Sequence, residues 1–177
     1  MNPISKSETP DMNNELHELF LDELADLLNA ELQLTHALPK MAKAAQSRDL
    51  AETILSHLAE TEQHVVRLQR VLSSLGAPPR NRTCKAMEGL LSEGAGQAKE
   101  RRGSTALDAA LIAAAQKVEH YEIAAYGTVC AWARQMAHTE EEAMLLETLH
   151  EEKAADEKLT GIAESTANLH AEQAGDR

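Results

Sequence analysis

Two stretches of this chain carry the same interrupted seam. Phe20, Leu24, Leu27, Glu31, Leu34, Leu38, Met41 and Ala45 follow one another at alternating spacings of four and three, and so do Leu111, Ala115, Val118, Glu122, Ala125, Val129, Trp132 and Met136. That spacing puts every member on one side of an α-helix and does not suit a strand, whose side chains repeat every two residues. Each seam is apolar or small except for one glutamate near its middle. A buried carboxylate with no partner is costly enough that it normally takes up a proton or a counter-charge. Glu31 and Glu122 therefore raise the question of what they face.

The rest of the chain completes four long helices. Pro39 lies inside the first seam and withholds one N–H, which predicts a kink near residues 35–39 rather than a helix end. After a turn at Ser47-Arg48-Asp49, Asp49 and Glu52 have the spacing of a capping box. Ile54, Leu58, Val65, Leu68, Leu72 and Leu75 then form a second stripe, which Gly76, Pro78 and Pro79 stop. Thr105 with Asp108 is the expected cap of the third helix. Thr139 with Glu142 opens the fourth after a tight turn, and that helix runs through Leu145, Leu149, Leu159 and Ile162 to about Leu169.

Between Arg80 and Gly103, Gly89, Gly94 and Gly96 are spread among charged residues around an amphipathic piece at Lys85–Leu91, so this crossover is expected to contain a short helix. Residues 1–14 read as a loose tail, 15–170 as one domain and 171–177 as a frayed end. Aromatic residues make up only 2% of the chain, which favours helices packed through Leu, Ala, Val, Ile and Met over sheets. The prediction is an all-α, ferritin-like four-helix bundle: two helical hairpins joined by one long crossover.

A formal net charge of −12 sets the surface against nucleic acid and anionic membranes and makes cations the natural small partners. Cys84 and Cys130 are far apart and form no CxxC, so neither a disulfide framework nor a thiolate zinc site follows from them. No secretory signal and no apolar run near the ~20 residues that span a bilayer can be read, and a cytoplasmic protein is the expectation.

Carboxylates for the second helix of each hairpin are sought at a matching distance. Twenty-nine residues separate Glu31 from Glu60 and Glu122 from Glu151, which suggests a weak duplication in which each half gives two carboxylates. Glu119, three before Glu122, is a further candidate. His57 and His64 flank Glu60, and His150 follows Glu147 by three and precedes Glu151. Imidazole suits iron, manganese and zinc alike, while two bridging carboxylates would bring two metals within ~4 Å. The structural alternative is that these glutamates pair with Lys40, Lys117, Lys153 or Lys158 at the bundle edge.

The runs "LLNAELQLTHALPKMAKAA", "HLAETEQHVVRL", "VEHYEIAAYGTV" and "TLHEEKAADEKL" resemble the YciF/YciE family of bacterial ferritin-like proteins, over roughly Leu16 to Ala167. The resemblance implies a rubrerythrin-like bundle that dimerises, a di-metal carboxylate site and an association with stress responses. On its motifs, Glu31, Glu60, Glu119, Glu122 and Glu151 are the implied ligands of two divalent ions, iron or manganese. His64 and His150 are candidate nitrogen ligands, because Gln63 and Ala154 stand where rubrerythrin-like proteins carry histidine. Oxidation of the metals by oxygen or peroxide is the enzymatic reading, with catalytic residues unassigned. A metal-free or non-catalytic helical homodimer is the other.

Overall fold

A computed structural model describes residues Glu15–Gln173. Its elements are α1 (Glu15–Ala44), α2 (Arg48–Ser74), α3 (Lys85–Glu100), α4 (Leu107–Gln135), α5 (Thr139–Ile162), a π-helical turn (Ala163–Ala167) and α6 (Asn168–Gln173). Among the described residues there is no strand. Helices α1 and α2 form one hairpin and α4 and α5 the other, with α2 against α5 and α1 against α4. The crossover helix α3 packs on α4 and α1. This is the ferritin-like four-helix bundle expected from the seams. No helix of the described residues is long and apolar enough to cross a membrane.

As expected, helix α1 runs on past Pro39 to Ala44 without ending there. Other local expectations shift. The cap of α2 is Ser47, whose hydroxyl accepts from the N–H of Leu50 at 3.4 Å, so Asp49 is already inside the helix. No side chain caps α4. Asp108 instead turns its carboxylate across the bundle and accepts the N–H groups of Gln46 at 2.8 Å and Ser47 at 2.7 Å, tying the first hairpin's turn to the start of the second hairpin.

The crossover helix is longer than its amphipathic core suggested, because Gly94 and Gly96 lie within it. A side chain at Gly94 would meet the Ala114 Cβ at 3.0 Å, so this glycine permits the close approach of α3 to α4. At the far end, residues 171–173 are helical where fraying was expected, and the expected tail at 1–14 lies outside the described residues.

The core falls into two apolar clusters. Leu34, Leu38, Leu50, Ile54, Met87, Leu111, Ile112 and Leu159 fill one end of the bundle, and Phe20, Leu24, Leu27, Leu68, Val71, Val129 and Leu145 fill the other. Along each long helix the stretch between them is polar yet buried: Glu31 on α1, His57, Thr61 and His64 on α2, Glu119 and Glu122 on α4, Thr148 and Glu152 on α5. Two hydrophobic plugs thus enclose a polar belt.

Helices α2 and α4 end in the same turn built on different residues. After α2, the Gly76 N–H donates to the Ser73 carbonyl and the Ala77 N–H to the Leu72 carbonyl, a Schellman turn whose left-handed residue is glycine at φ 63°. After α4 the same pair of bonds forms from Ala137 to Arg134 and from His138 to Ala133, but the left-handed residue is Ala137 at φ 58°. Its Cβ is strained there by ~1 kcal/mol or more. Ala137→Gly is therefore expected to stabilise the protein by about 0.5–1 kcal/mol net of unfolded-chain entropy, read as a higher denaturation midpoint at unchanged m-value. A lower midpoint would contradict the strained turn.

Candidate metal centre

Helical register decides which side chains meet in the belt. On α2 the spacing of four and three passes through Ile54, His57, Thr61, His64, Leu68 and Val71, and on α5 through Leu145, Leu149, Glu152 and on to Leu159. These are the inward positions. Glu31, Glu122 and Glu152 are each 0% exposed, as are Thr61 and His64. Thirty residues separate Glu31 from Thr61 and Glu122 from Glu152, so the two hairpins correspond one residue further along than the spacing of twenty-nine suggested. The correspondence breaks at Thr61, which occupies the position that Glu152 holds in the other hairpin.

Two groups of donors result. His57, Glu119, Glu122 and Glu152 offer ligand atoms that all lie within 4.8 Å of one another, and so do Glu31, His64 and Glu152. Glu152 belongs to both. Its Oε1 stands 3.0 Å from His64 Nδ1 and its Oε2 stands 3.7 Å from His57 Nε2. His57 Nε2 is 3.4 Å from Glu119 Oε1, and His64 Nδ1 is 3.4 Å from Glu31 Oε1. Both oxygens of Glu122 and of Glu152, one each of Glu31 and Glu119, and these two ring nitrogens have no hydrogen-bond partner within the protein, although all are buried.

The histidines are aimed from behind. His57 Nδ1 lies 3.4 Å from Glu60 Oε2, and His64 Nε2 lies 3.0 Å from Glu151 Oε2. With the ring proton on the nitrogen that faces each carboxylate, the opposite nitrogen is left to face the cluster, an arrangement that fixes the tautomer of metal-binding histidines. Glu151 is held in turn by Arg67, whose Nη1 donates to it at 2.8 Å and to Thr148 at 2.5 Å. Tyr126, fully buried, donates its hydroxyl to Glu31 Oε1 at 2.6 Å. Tyr121 points elsewhere, to Asp26 and Cys84, each at 3.0 Å.

Burial governs the protonation of the belt. It pushes the Glu122 carboxyl well above the usual range, reinforced by Glu152, Glu31 and Glu119. Burial likewise raises Glu119, against the pull of His57, and raises Glu152, against the pull of the neighbouring His64. For the histidines burial acts downward but is outweighed: the carboxylates of Glu152 and Glu31 lift His64 to about 10, and Glu60 and Glu119 lift His57. Glu60, bonded to His57, is lowered.

Of the residues singled out in the sequence, Glu31, His64, Glu119 and Glu122 come together. Glu60 and Glu151 sit behind the histidines, each with about a third of its side chain exposed. His150 is exposed and outside the cluster. Glu152 was missed although it lies on the α5 seam, and His57 was weighed but left out of the predicted set. The structural alternative holds only away from the buried cluster: Lys158 forms an ion pair with Glu60 at 3.7 Å, and Glu151 is paired with Arg67 rather than with a lysine. Lys117 binds Glu93 instead, and among the described residues no lysine or arginine forms an ion pair with Glu31, Glu119, Glu122 or Glu152.

The donors are carboxylate oxygens and neutral-capable imidazoles, a set suited to borderline divalent ions. Four ionised carboxylates would balance two such ions, which fits the residues present.

Comparison with known proteins agrees with this fold. The chain is 42% identical over 158 residues to protein YciF of Escherichia coli strain K12, covering 89% of this chain and 95% of that one. The crystal structure of the E. coli stress protein YciF superimposes with a TM-score of 0.82 at 42% identity, over 86% of this chain and 97% of that chain. YcfI from Rhodopseudomonas palustris, for which a structural role has been suggested, gives 0.80 at 44% identity over 86% and 96%. Residues 15–172 match the family pattern DUF892, described as a domain of unknown function. The chain belongs to this family of YciF-like proteins.

Proposed function

We propose that this chain is a di-metal carboxylate protein that holds two divalent ions, iron or manganese, and serves in a stress response as its E. coli relative is described to do. One ion would be held by Glu31, His64 and Glu152, the other by His57, Glu119, Glu122 and Glu152, with Glu152 shared. The observation that carries the reading is the convergence of eight buried polar atoms, from six side chains, that make no hydrogen bond within the protein. At about 1–3 kcal/mol for each unsatisfied group, that cost rivals the ~5–15 kcal/mol by which a domain is stable. Something must occupy the belt, whether metal or protons.

Two redox-active ions bound there would supply electrons to oxygen or peroxide. The chain's own residues would bind and orient: Glu60 and Glu151 hold the imidazoles in register, Tyr126 fixes Glu31, and the apolar plugs exclude water. A metal-free, structural role has one observation in its favour. The raised carboxyls and histidines can share protons and so neutralise part of the belt without metal.

Thermal melts with and without Mn(II) separate the two readings. Ligand at a hundred times its dissociation constant stabilises by about 2.7 kcal/mol, so wild type should melt several degrees higher with metal. Glu152→Ala should lose that gain, while His150→Ala should keep it. Metal-free Glu152→Ala should be no less stable than metal-free wild type, because it relieves carboxylate repulsion. A metal-free variant that melts well below wild type, with an unchanged metal response, would favour the structural role.

The pH dependence of the metal-free protein is a second test. A carboxyl raised on folding contributes stability that is complete below its ordinary value of 4.5 and is lost as pH rises towards its folded value. His64 adds a similar fall between 6.5 and about 10. Each group costs about 1.4 kcal/mol per pH unit within its window. Metal-free Glu122→Gln should therefore lose less stability than wild type in urea titrations between pH 5 and pH 8. Parallel pH profiles would contradict a raised Glu122.

A further inference from the structure

Two routes could connect the belt to solvent through the face shared by α2 and α5, which α3 does not cover. At one end stands Arg67. Its side chain is only 14% exposed and is fastened to Thr148, Glu151 and Glu147, the last at 3.0 Å. At the other end stand Glu60 and Lys158, whose charged atoms are 3.7 Å apart, beyond hydrogen-bond reach, with side chains 30% and 53% exposed. Beneath this looser pair is a cavity of about 20 Å³ that reaches His57 and Glu119 and is walled by Leu38, Ile54 and Ala155. That is room for one water-sized particle.

We propose that the Glu60–Lys158 pair and the small cavity behind it form the port through which cations reach the belt, Glu60 drawing them in and Lys158 opposing them. The proposal rests on the di-metal reading. Metal would pass from the exposed edge of Glu60 directly to His57 and Glu119, so the group of four donors would fill from the side of α5 that carries Lys158. The ammonium raises the local potential against a cation, an effect that salt screens over about 10 Å at 0.1 M.

Stopped-flow uptake of Co(II), followed by its visible absorption, tests the port without turnover. Lys158→Ala should bind the same two ions per chain as wild type but load several-fold faster at low ionic strength, with the difference shrinking in 0.5 M salt. Thr53→Phe, which narrows the same cavity, should load several-fold more slowly to the same end point. Normal stoichiometry with wild-type rates in both variants would overturn the port and leave the di-metal site standing. A wild-type protein that takes up no stoichiometric Co(II), Mn(II) or Fe(II) would overturn both.

Discussion

Four carboxylates and two imidazoles are buried at mid-height in a bundle that offers them almost no hydrogen-bond donors. Everything around the belt follows from that choice. Burial makes Glu119, Glu122 and Glu152 resist ionisation, so the belt costs stability unless protons or cations neutralise it. The two apolar clusters above and below supply the burial that holds the helices together in spite of it.

The surroundings hold the belt rigid in one respect and leave it free in another. Carboxylates behind His57 and His64 fix the rings, and Arg67 fixes one of those carboxylates. Glu122, in contrast, has neither oxygen bonded, and Glu152 has neither bonded while lying between both histidines. Oriented nitrogens combined with unrestrained carboxylates suit ions whose preferred coordination changes with oxidation state. Asp108 contributes from a distance, since its two bonds to the α1–α2 turn lock the hairpins together at the end opposite the α4–α5 turn.

Most of this architecture was legible in the sequence, because the seams of α1 and α4 have a helical period and the stops at Gly76 and Pro78 are unambiguous. Glu31 and Glu122 stood out for the same reason: each interrupts an apolar seam. The second helices were harder to read. Glutamates are dense on α2 and α5, and equal separations selected Glu60 and Glu151, one position off the inward face. Extending the seam from Leu145 and Leu149 reaches Glu152, and extending it from Ile54 reaches His57, Thr61 and His64. Period, not pairwise distance, carried the information. The cap at Ser47 and the long-range role of Asp108 were not legible, since an acidic residue three after a threonine has the same signature whether it serves its own helix or another.

The proposed two-ion site, with Glu152 shared between the ions, is open to direct observation in crystals soaked in Mn(II) and measured with anomalous scattering. Two peaks per chain are expected, one bounded by Glu31, His64 and Glu152 and the other by His57, Glu119, Glu122 and Glu152. Peaks confined to surface carboxylates, with the belt empty at saturating Mn(II), would contradict it.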